Sequence, residues 1–214
     1  MRIIAGEFRS RVLASPPDDL TRPMPDRVKE SVFQLLRGHC EGAPVLDLFA
    51  GTGNIGLEAL SRGASEVVFV EKRREVAETL RENIDALRAR DRCRVVVGDA
   101  LGPSALAACP RPAHLVFADP PYPMMEDVRQ RARVMSQFAR LVACLDDAGF
   151  AVLRSPWPFR DPETGGAISL AVPGARGPET HVYRHTAVHL YMKAEGPAPS
   201  EATARFEPDP DGGA

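Results

Sequence analysis

The run Val45-Leu46-Asp47-Leu48-Phe49-Ala50-Gly51-Thr52-Gly53-Asn54-Ile55-Gly56 constrains this chain more than any other stretch. It predicts a short buried strand, a glycine-rich turn and a helix starting through Leu57, Glu58, Ala59 and Leu60. A strand feeding a helix through glycines lets backbone N–H groups approach a ligand closely, and nucleotide-type cofactors sit at such turns. Asp47 is the odd member, because a carboxylate in an apolar strand end is costly to bury unpaired. Either local backbone N–H groups satisfy it or it is aimed at a cofactor. Its place at the strand end beside the glycine turn favours the second reading.

Two ligand classes fit this stretch. Gly51-Thr52-Gly53-Asn54-Ile55-Gly56 reads as G-x-G-x-x-G, and Glu71 closes the next strand (67–70) where a ribose-binding acid belongs, which is the dinucleotide fingerprint. The same geometry suits S-adenosylmethionine (AdoMet), with the turn against its amino-acid end and the acid on its ribose hydroxyls. The pattern alone leaves both open.

The alternation continues. A helix is expected to reach Arg62 and stop at Gly63, and a helix over 74–90 carries Val76, Leu80, Ile84 and Leu87 on one face. A strand at 93–97 ends in Gly98-Asp99-Ala100. Strands alternating with helices build a right-handed parallel unit whose ligand crevice lies at the carboxyl ends of the strands. Asp47, Glu71 and Asp99 all occupy such ends, the pattern of a cofactor rim. Asp99 is placed to meet an adenine amino group; its alternative role is to form a turn. An Ala- and Pro-rich loop is expected over 102–113, a fourth strand over 115–118, a helix over 127–145 and a fifth strand over 150–153. Residues 155–177 read as loop with one short strand at 168–172, before an antiparallel pair at 180–184 and 187–192.

The fourth strand ends at Asp119-Pro120-Pro121-Tyr122, the second strong signal. Two prolines fix φ, remove two N–H donors and make the turn rigid. What remains are acceptors, the Asp119 carboxylate and the Pro120 carbonyl, beside the flat face of Tyr122. Such a set suits a planar exocyclic amino group of guanine or adenine: it holds the two N–H bonds and stabilises positive charge growing on the nitrogen. The bland alternative is an Asp-Pro turn.

Residues 1–13 place Ile3, Ile4, Phe8, Val12 and Leu13 among arginines and predict a β-hairpin or extended arm exposing Arg2, Arg9 and Arg11. These arginines suit RNA contact or a charge-guarded edge strand. Asp26 is expected to cap a helix with Val28, Val32, Leu35 and Leu36 inward and Arg27 and Lys29 on its wet face.

A chain of 214 residues, 44% hydrophobic and 26% charged, fits one globular domain. No apolar run approaches the roughly 20 residues of a membrane span, and residues 1–11 lack an apolar signal core, so a cytoplasmic protein is expected. Cys40, Cys93, Cys109 and Cys144 form no C-x-x-C pair and read as reduced thiols. His181, His185 and His189 are spaced by four, but a β context spreads them, and no metal site is expected. Residues 195–214 carry net charge −4 of a total of −2 and read as a disordered acidic tail, leaving a mildly basic +2 body compatible with RNA.

Together, Asp-Leu-Phe-Ala-Gly-Thr-Gly (47–53) and Asp-Pro-Pro-Tyr (119–122) resemble the AdoMet-dependent amino-methyltransferases. Arg2-Ile3-Ile4-Ala5-Gly6, Arg9-Ser10-Arg11, Arg22-Pro23 with Asp26-Arg27-Val28-Lys29-Glu30, and Gly56-Leu57-Glu58-Ala59-Leu60-Ser61-Arg62-Gly63-Ala64 narrow this further. They resemble the RsmD family of 16S ribosomal RNA guanine-N2 methyltransferases, over about residues 1–192. The resemblance implies an α/β fold of the Rossmann-like class I methyltransferase type. Its sheet has seven mostly parallel strands with the last antiparallel, extended by an N-terminal hairpin and helix (1–43) before the catalytic domain (44–194). It implies AdoMet as cofactor and 16S rRNA or the small subunit as partner of a monomer. Asp47, Phe49, Ala50, Gly51 and Gly53 would line the methionine end, Glu71 the ribose, Asp99 and Ala100 the adenine. Asp119, Pro120 and Tyr122 would hold the guanine, and Arg2, Arg9, Arg11, Arg22 and Arg27 would contact RNA. The chain departs from the family pattern at Met24 (usually Thr), at Ser10 (commonly Gly) and at Arg154-Ser155-Pro156, which replaces an acid and a His. Other amino-methyltransferases acting on DNA or protein, an NAD-type oxidoreductase and a non-catalytic RNA-binding assembly factor are the rivals.

Overall fold

β-Branched and apolar runs form the strands, and their alternation decides what each face buries. A computed structural model describes residues 1–15, 24–161 and 164–194; the expected contact Arg22 and the expected acidic tail lie outside the described residues. In chain order the elements are α1 (Asp26–Leu35), β1 (Pro44–Leu48), α2 (Gly56–Ser61), β2 (Glu66–Glu71), α3 (Arg74–Ala86), β3 (Cys93–Val97) and α4 (Pro103–Ala108). They continue with β4 (Ala113–Ala118), α5 (Tyr122–Glu126), α6 (Val128–Val142), β5 (Leu145–Pro156), β6 (Ala175–Tyr183) and β7 (Thr186–Lys193). The strands make one seven-stranded sheet in the order β3-β2-β1-β4-β5-β7-β6. Pairings among β1 to β5 are parallel, and β7 runs antiparallel to both its neighbours. The Rossmann-like sheet expected from the resemblance is therefore present. No helix among the described residues is long and apolar enough to cross a membrane.

Strand order reverses between β1 and β4, which pair in register Leu46↔Val116 and Leu48↔Ala118. Ligands of open α/β sheets bind at the carboxyl ends of strands at such a switch point. The period of two fills the two faces separately. Val45, Phe69, Leu115, Phe117 and Val152 pack with α1, α2, α3 and the N-terminal arm, whereas Leu46, Leu48, Val70, Val116 and Leu153 pack with α4 and α6. Carried one step past the apolar stretch, the alternation puts Asp47, Glu71, Asp119 and Arg154 on the arm's side of the sheet.

Residues 1–13 form the expected hairpin, bridged at Arg2 and Val12, with Ile3, Phe8 and Leu13 in the shared core. It lies along α2: the Glu7 N–H donates to the Ser61 carbonyl and the Phe8 N–H to Ser61 Oγ. At Gly6, with φ +86°, a Cβ would fall 1.7 Å from the Ser61 carbonyl oxygen, so no other residue fits without moving the arm.

Some expectations need correction. Lys29 is not on a wet face; its side chain has no exposed surface and reaches the Arg2 carbonyl (2.8 Å), Asn54 Oδ1 (2.7 Å) and Glu58 (3.5 Å). Docking of the arm covers that side of α1, which a single-helix pattern does not reveal. Asp26 opens α1 without capping it, Pro25 being the cap residue, and its carboxylate pairs with Arg2 instead. The stretch 102–113 contains α4, started by Pro103 at its first turn, where the missing N–H costs nothing. No strand forms at 168–172; the nearby pairing is an isolated Arg160–Ala167 bridge.

Candidate active site

Asp47, the penultimate residue of β1, has 1% of its surface exposed, and its Oδ2 accepts the Gly56 N–H at 2.8 Å. One carboxylate oxygen is therefore satisfied locally, as the bland reading holds. Burial pushes the group from 3.8 up to about 7; the Gly56 bond opposes this, and the Asp119 and Glu71 carboxylates add to it. No cation among the described residues pulls the other way. The glycines around it are structural necessities of different kinds. A Cβ on Gly56 would stand 2.3 Å from the Phe69 ring and 2.9 Å from Asp47 Oδ2, and one on Gly53 2.5 Å from Leu80 Cδ1. Gly51, at φ +56°, has nothing within 4 Å of a Cβ position, so its backbone borders open space. Phe49 adopts φ +67°, a left-handed conformation that costs a non-glycine residue about 1–3 kcal/mol and is found where function holds it. Ala50 beside it is anchored by its N–H to the Val70 carbonyl at 3.0 Å.

Glu71, at the tip of β2, braces the turn: Oε2 accepts the Gly51 N–H at 2.9 Å and Oε1 the Arg73 N–H at 2.8 Å. Each oxygen keeps capacity for a further donor, such as a ribose hydroxyl. Asp99 forms an Asx turn, its Oδ1 accepting the Leu101 N–H at 3.0 Å, with Lys72 3.8 Å from Oδ2. The following loop is pinned from α6 by Gln137, which donates to the carbonyls of Ala100 (3.2 Å) and Gly102 (3.1 Å). Asp47, Glu71 and Asp99 thus stand on three successive strand tips at one end of the sheet.

Asp119 follows β4 directly, its N–H directed to the Leu48 carbonyl of β1. Its side chain, 13% exposed, accepts a 2.5 Å hydrogen bond from Arg154 Nε on Oδ1, and Oδ2 takes none from the described residues. Desolvation raises its pKa, with the Arg154 charge and hydrogen bond pulling the other way. Pro120 is buried, and Tyr122 begins α5, with the Arg154 guanidinium 5.1 Å from its ring centroid. The structure thus brings the two sequence signals onto adjacent parallel strand tips.

The arm's open end lies beside this rim. Met1 Sδ accepts from Thr52 Oγ1 at 3.9 Å, and Asn83 of α3 donates to the carbonyls of both Ala14 and Thr52. Arg2, Arg9, Arg11 and Arg27 are exposed, Arg2 being paired with Asp26 at 3.2 Å. Sequence reasoning missed Lys29, Asn54, Glu58 and Asn83, the groups tying arm to glycine turn. Their only trace was polar residues on faces otherwise apolar. Among the histidines, His181 pairs with Glu179 and His189 is buried between Ser155 and Thr180, so the spaced set does not converge.

A family model described as conserved hypothetical protein 95 matches residues 1–155. YlbH of Bacillus subtilis, provisionally named an rRNA methyltransferase, is 32% identical over 196 residues, covering 90% of this chain and 99% of YlbH. Ribosomal RNA small subunit methyltransferase D of Escherichia coli is 42% identical over 122 residues, a match that spans 57% of this chain and 60% of that protein. The solved structure of Escherichia coli yhhF, provisionally described as a methyltransferase, superposes with a TM-score of 0.72 at 32% identity, covering 91% of this chain and 98% of yhhF. With the family model matched across the arm, the glycine turn and the Asp-Pro-Pro-Tyr tip, the chain belongs to the conserved hypothetical protein 95 family, that of the RsmD-type methyltransferases.

Proposed function

We propose that this protein is a cytoplasmic, monomeric enzyme that transfers the methyl group of AdoMet to the exocyclic N2 of a guanine in 16S rRNA. The observation that carries this reading is the position of Asp47 and Asp119 at neighbouring strand tips of the switch point, both on the face the arm covers. The residues fit the cofactor. AdoMet carries an α-ammonium and a sulfonium, and the site offers Asp47, a buried acid whose pKa desolvation raises to about 7 and whose carboxylate form a nearby cation would favour. A dinucleotide would instead bring a pyrophosphate to a rim of three acids, where like charges repel. That disfavours the NAD-type alternative.

When bound, AdoMet supplies an electrophilic methyl group. The chain's own residues do the rest. Asp47, with Phe49, Ala50, Gly51 and Gly53, holds the amino-acid end, Glu71 the ribose, and Asp99 and Ala100 the adenine. Asp119 Oδ2 and the Pro120 carbonyl accept the two N–H bonds of the guanine amino group, and Tyr122 stacks on the base. These acceptors fix the nitrogen lone pair and stabilise the cation formed as nitrogen becomes four-bonded; the proton leaves afterwards, so no strong base is required beforehand. The target guanine has to be unstacked to reach this turn. Arg2, Arg9, Arg11, Arg22 and Arg27 engage the RNA backbone.

The test incubates the purified protein with methyl-labelled AdoMet and either free 16S rRNA or small subunits, then maps the label by mass. A single N2-methylated guanine is expected. Label on adenine, on protein or nowhere overturns the reading.

A further inference from the structure

We infer that Arg154 is a positioning residue of this site: it holds the Asp119 carboxylate by Oδ1, turns Oδ2 toward the substrate and seats the Tyr122 ring against the same guanidinium. The inference rests on the methyltransferase reading and assigns a role to a side chain that departs from the family pattern, where an acid usually stands.

The geometry is specific. Arg154 lies near the end of β5, next to β4 in the sheet, and its side chain is 9% exposed. Its Nε meets Asp119 Oδ1 at 2.5 Å while its charged carbon lies 5.1 Å from the centroid of Tyr122. One buried cation thus touches the acceptor and the aromatic plane on which an amino-bearing base would be oriented. A carboxylate held through one oxygen has lost its freedom to rotate, and its remaining oxygen has a single direction. The titratable groups around Asp119 come from three elements: Arg154 on β5, the Asp47 carboxylate on β1 and, against the Arg154 guanidinium, the Tyr122 phenol on α5. Arg154 is the only cation of the three. Its charge and hydrogen bond pull against the desolvation that raises the Asp119 pKa, and so favour the carboxylate, which only accepts, over the neutral acid, which would present a donor to the guanine amino group.

An acid-limb comparison tests this. Arg154→Gln keeps a donor without charge and Arg154→Lys keeps the charge without the fork. In Arg154→Gln, the acid limb of the single-turnover methyl-transfer rate is expected to move up by about 1–3 pH units, the loss of an opposite charge at this distance. The neutral-pH rate should fall at least about tenfold, with AdoMet affinity by calorimetry within about threefold of wild type. Arg154→Lys should hold the limb near its wild-type position. A limb unmoved in Arg154→Gln, or moved equally in both variants, overturns the inference. The Asp119 carboxyl titration, followed by carbon-13 NMR without any substrate, should rise in Arg154→Gln alone. It separates the two failures: a wild-type protein that methylates no rRNA defeats the functional reading, whereas an unmoved carboxyl titration defeats the role of Arg154.

Discussion

Lys29 and Glu58 face each other at 3.5 Å with neither side chain exposed, and both are held by backbone of the N-terminal arm. Glu58 accepts the N–H groups of Ile4 (2.7 Å) and Ala5 (3.1 Å) and the Arg62 guanidinium (2.7 Å), while Lys29 donates to the Arg2 carbonyl and to Asn54 in the glycine turn. Breaking one side of a buried, hydrogen-bonded pair leaves an uncompensated charge, at a cost of about 3–5 kcal/mol. Glu58→Leu, which strands the buried Lys29, should lower the unfolding free energy by about that amount in urea titrations, and Lys29→Met, which leaves Glu58 its Arg62 partner, should lower it less. The double variant should lose much less than the sum. Additive losses would show that the two charges do not support one another.

Asp47 links stability to pH with a definite sign. Its folded pKa of about 7 lies above the ordinary 3.8, so the folded state favours the protonated form. The contribution is fully present below pH 3.8 and is lost as pH rises through about 7. Above that, the folded protein carries a buried charge costing about 4 kcal/mol, from roughly three pKa units at 1.36 kcal/mol each. Asp47→Asn keeps an acceptor for the Gly56 N–H and removes that charge. The ligand-free variant should therefore melt higher than wild type at pH 8, by an advantage that shrinks toward pH 5. AdoMet should raise the melting temperature of the wild type and leave that of the variant unchanged. An advantage independent of pH would contradict the assignment.

The glycines of the turn separate steric from conformational demands. Gly56→Ala places a methyl 2.3 Å from Phe69 and 2.9 Å from Asp47 Oδ2, so the turn must shift and break the Asp47–Gly56 bond. Gly51→Ala meets no atom and costs only a left-handed alanine, about 1–2 kcal/mol. Calorimetry should show AdoMet binding lost in the first, while in the second the folded protein melts slightly lower.

How much of this was legible follows from the range of each signal. The strand tips bearing Asp47, Glu71, Asp99 and Asp119 were readable because each sits at the junction of an apolar run with a glycine or proline turn, a local pattern. That β1 and β4 are neighbours is a matter of strand order, which no local pattern encodes and the register Leu48↔Ala118 shows. Lys29 was misassigned because its burial is made by a hairpin more than fifteen residues away, and no periodicity within α1 encodes it. Arg154 stood out only as a departure; its partner Asp119 is thirty-five residues upstream and meets it through β4–β5 pairing.

The division of labour across the crevice predicts a clean separation in Asp119→Ala. In the proposed function Asp119 serves the base side, while Asp47, the glycine turn and Glu71 serve the cofactor side. Removing the Asp119 carboxylate also removes a like charge from Asp47. Methyl transfer should fall by at least about a hundredfold, the scale of losing a preorganised electrostatic contact, while AdoMet binds as tightly as to wild type or slightly tighter. Loss of AdoMet binding in parallel with activity would place Asp119 in the cofactor site.

The exposed arginines of the arm give a prediction that depends on salt. Arg9 and Arg11 are exposed, and among the described residues the Arg2 guanidinium makes a surface pair with Asp26, which contributes little against phosphate competition. Each phosphate neutralised by such a group releases condensed counterions, so log K falls with log salt at a slope of about 0.7–0.9 per contact. Replacing Arg2, Arg9 and Arg11 together by Gln should weaken rRNA binding and flatten that slope by about 2–3. The fold should survive, because the arm is held by Glu58, Ser61 and Asn83 through its backbone and not through these side chains. Filter binding across a salt series measures both quantities. A slope equal to wild type would move the RNA-binding face away from the hairpin, even if affinity fell.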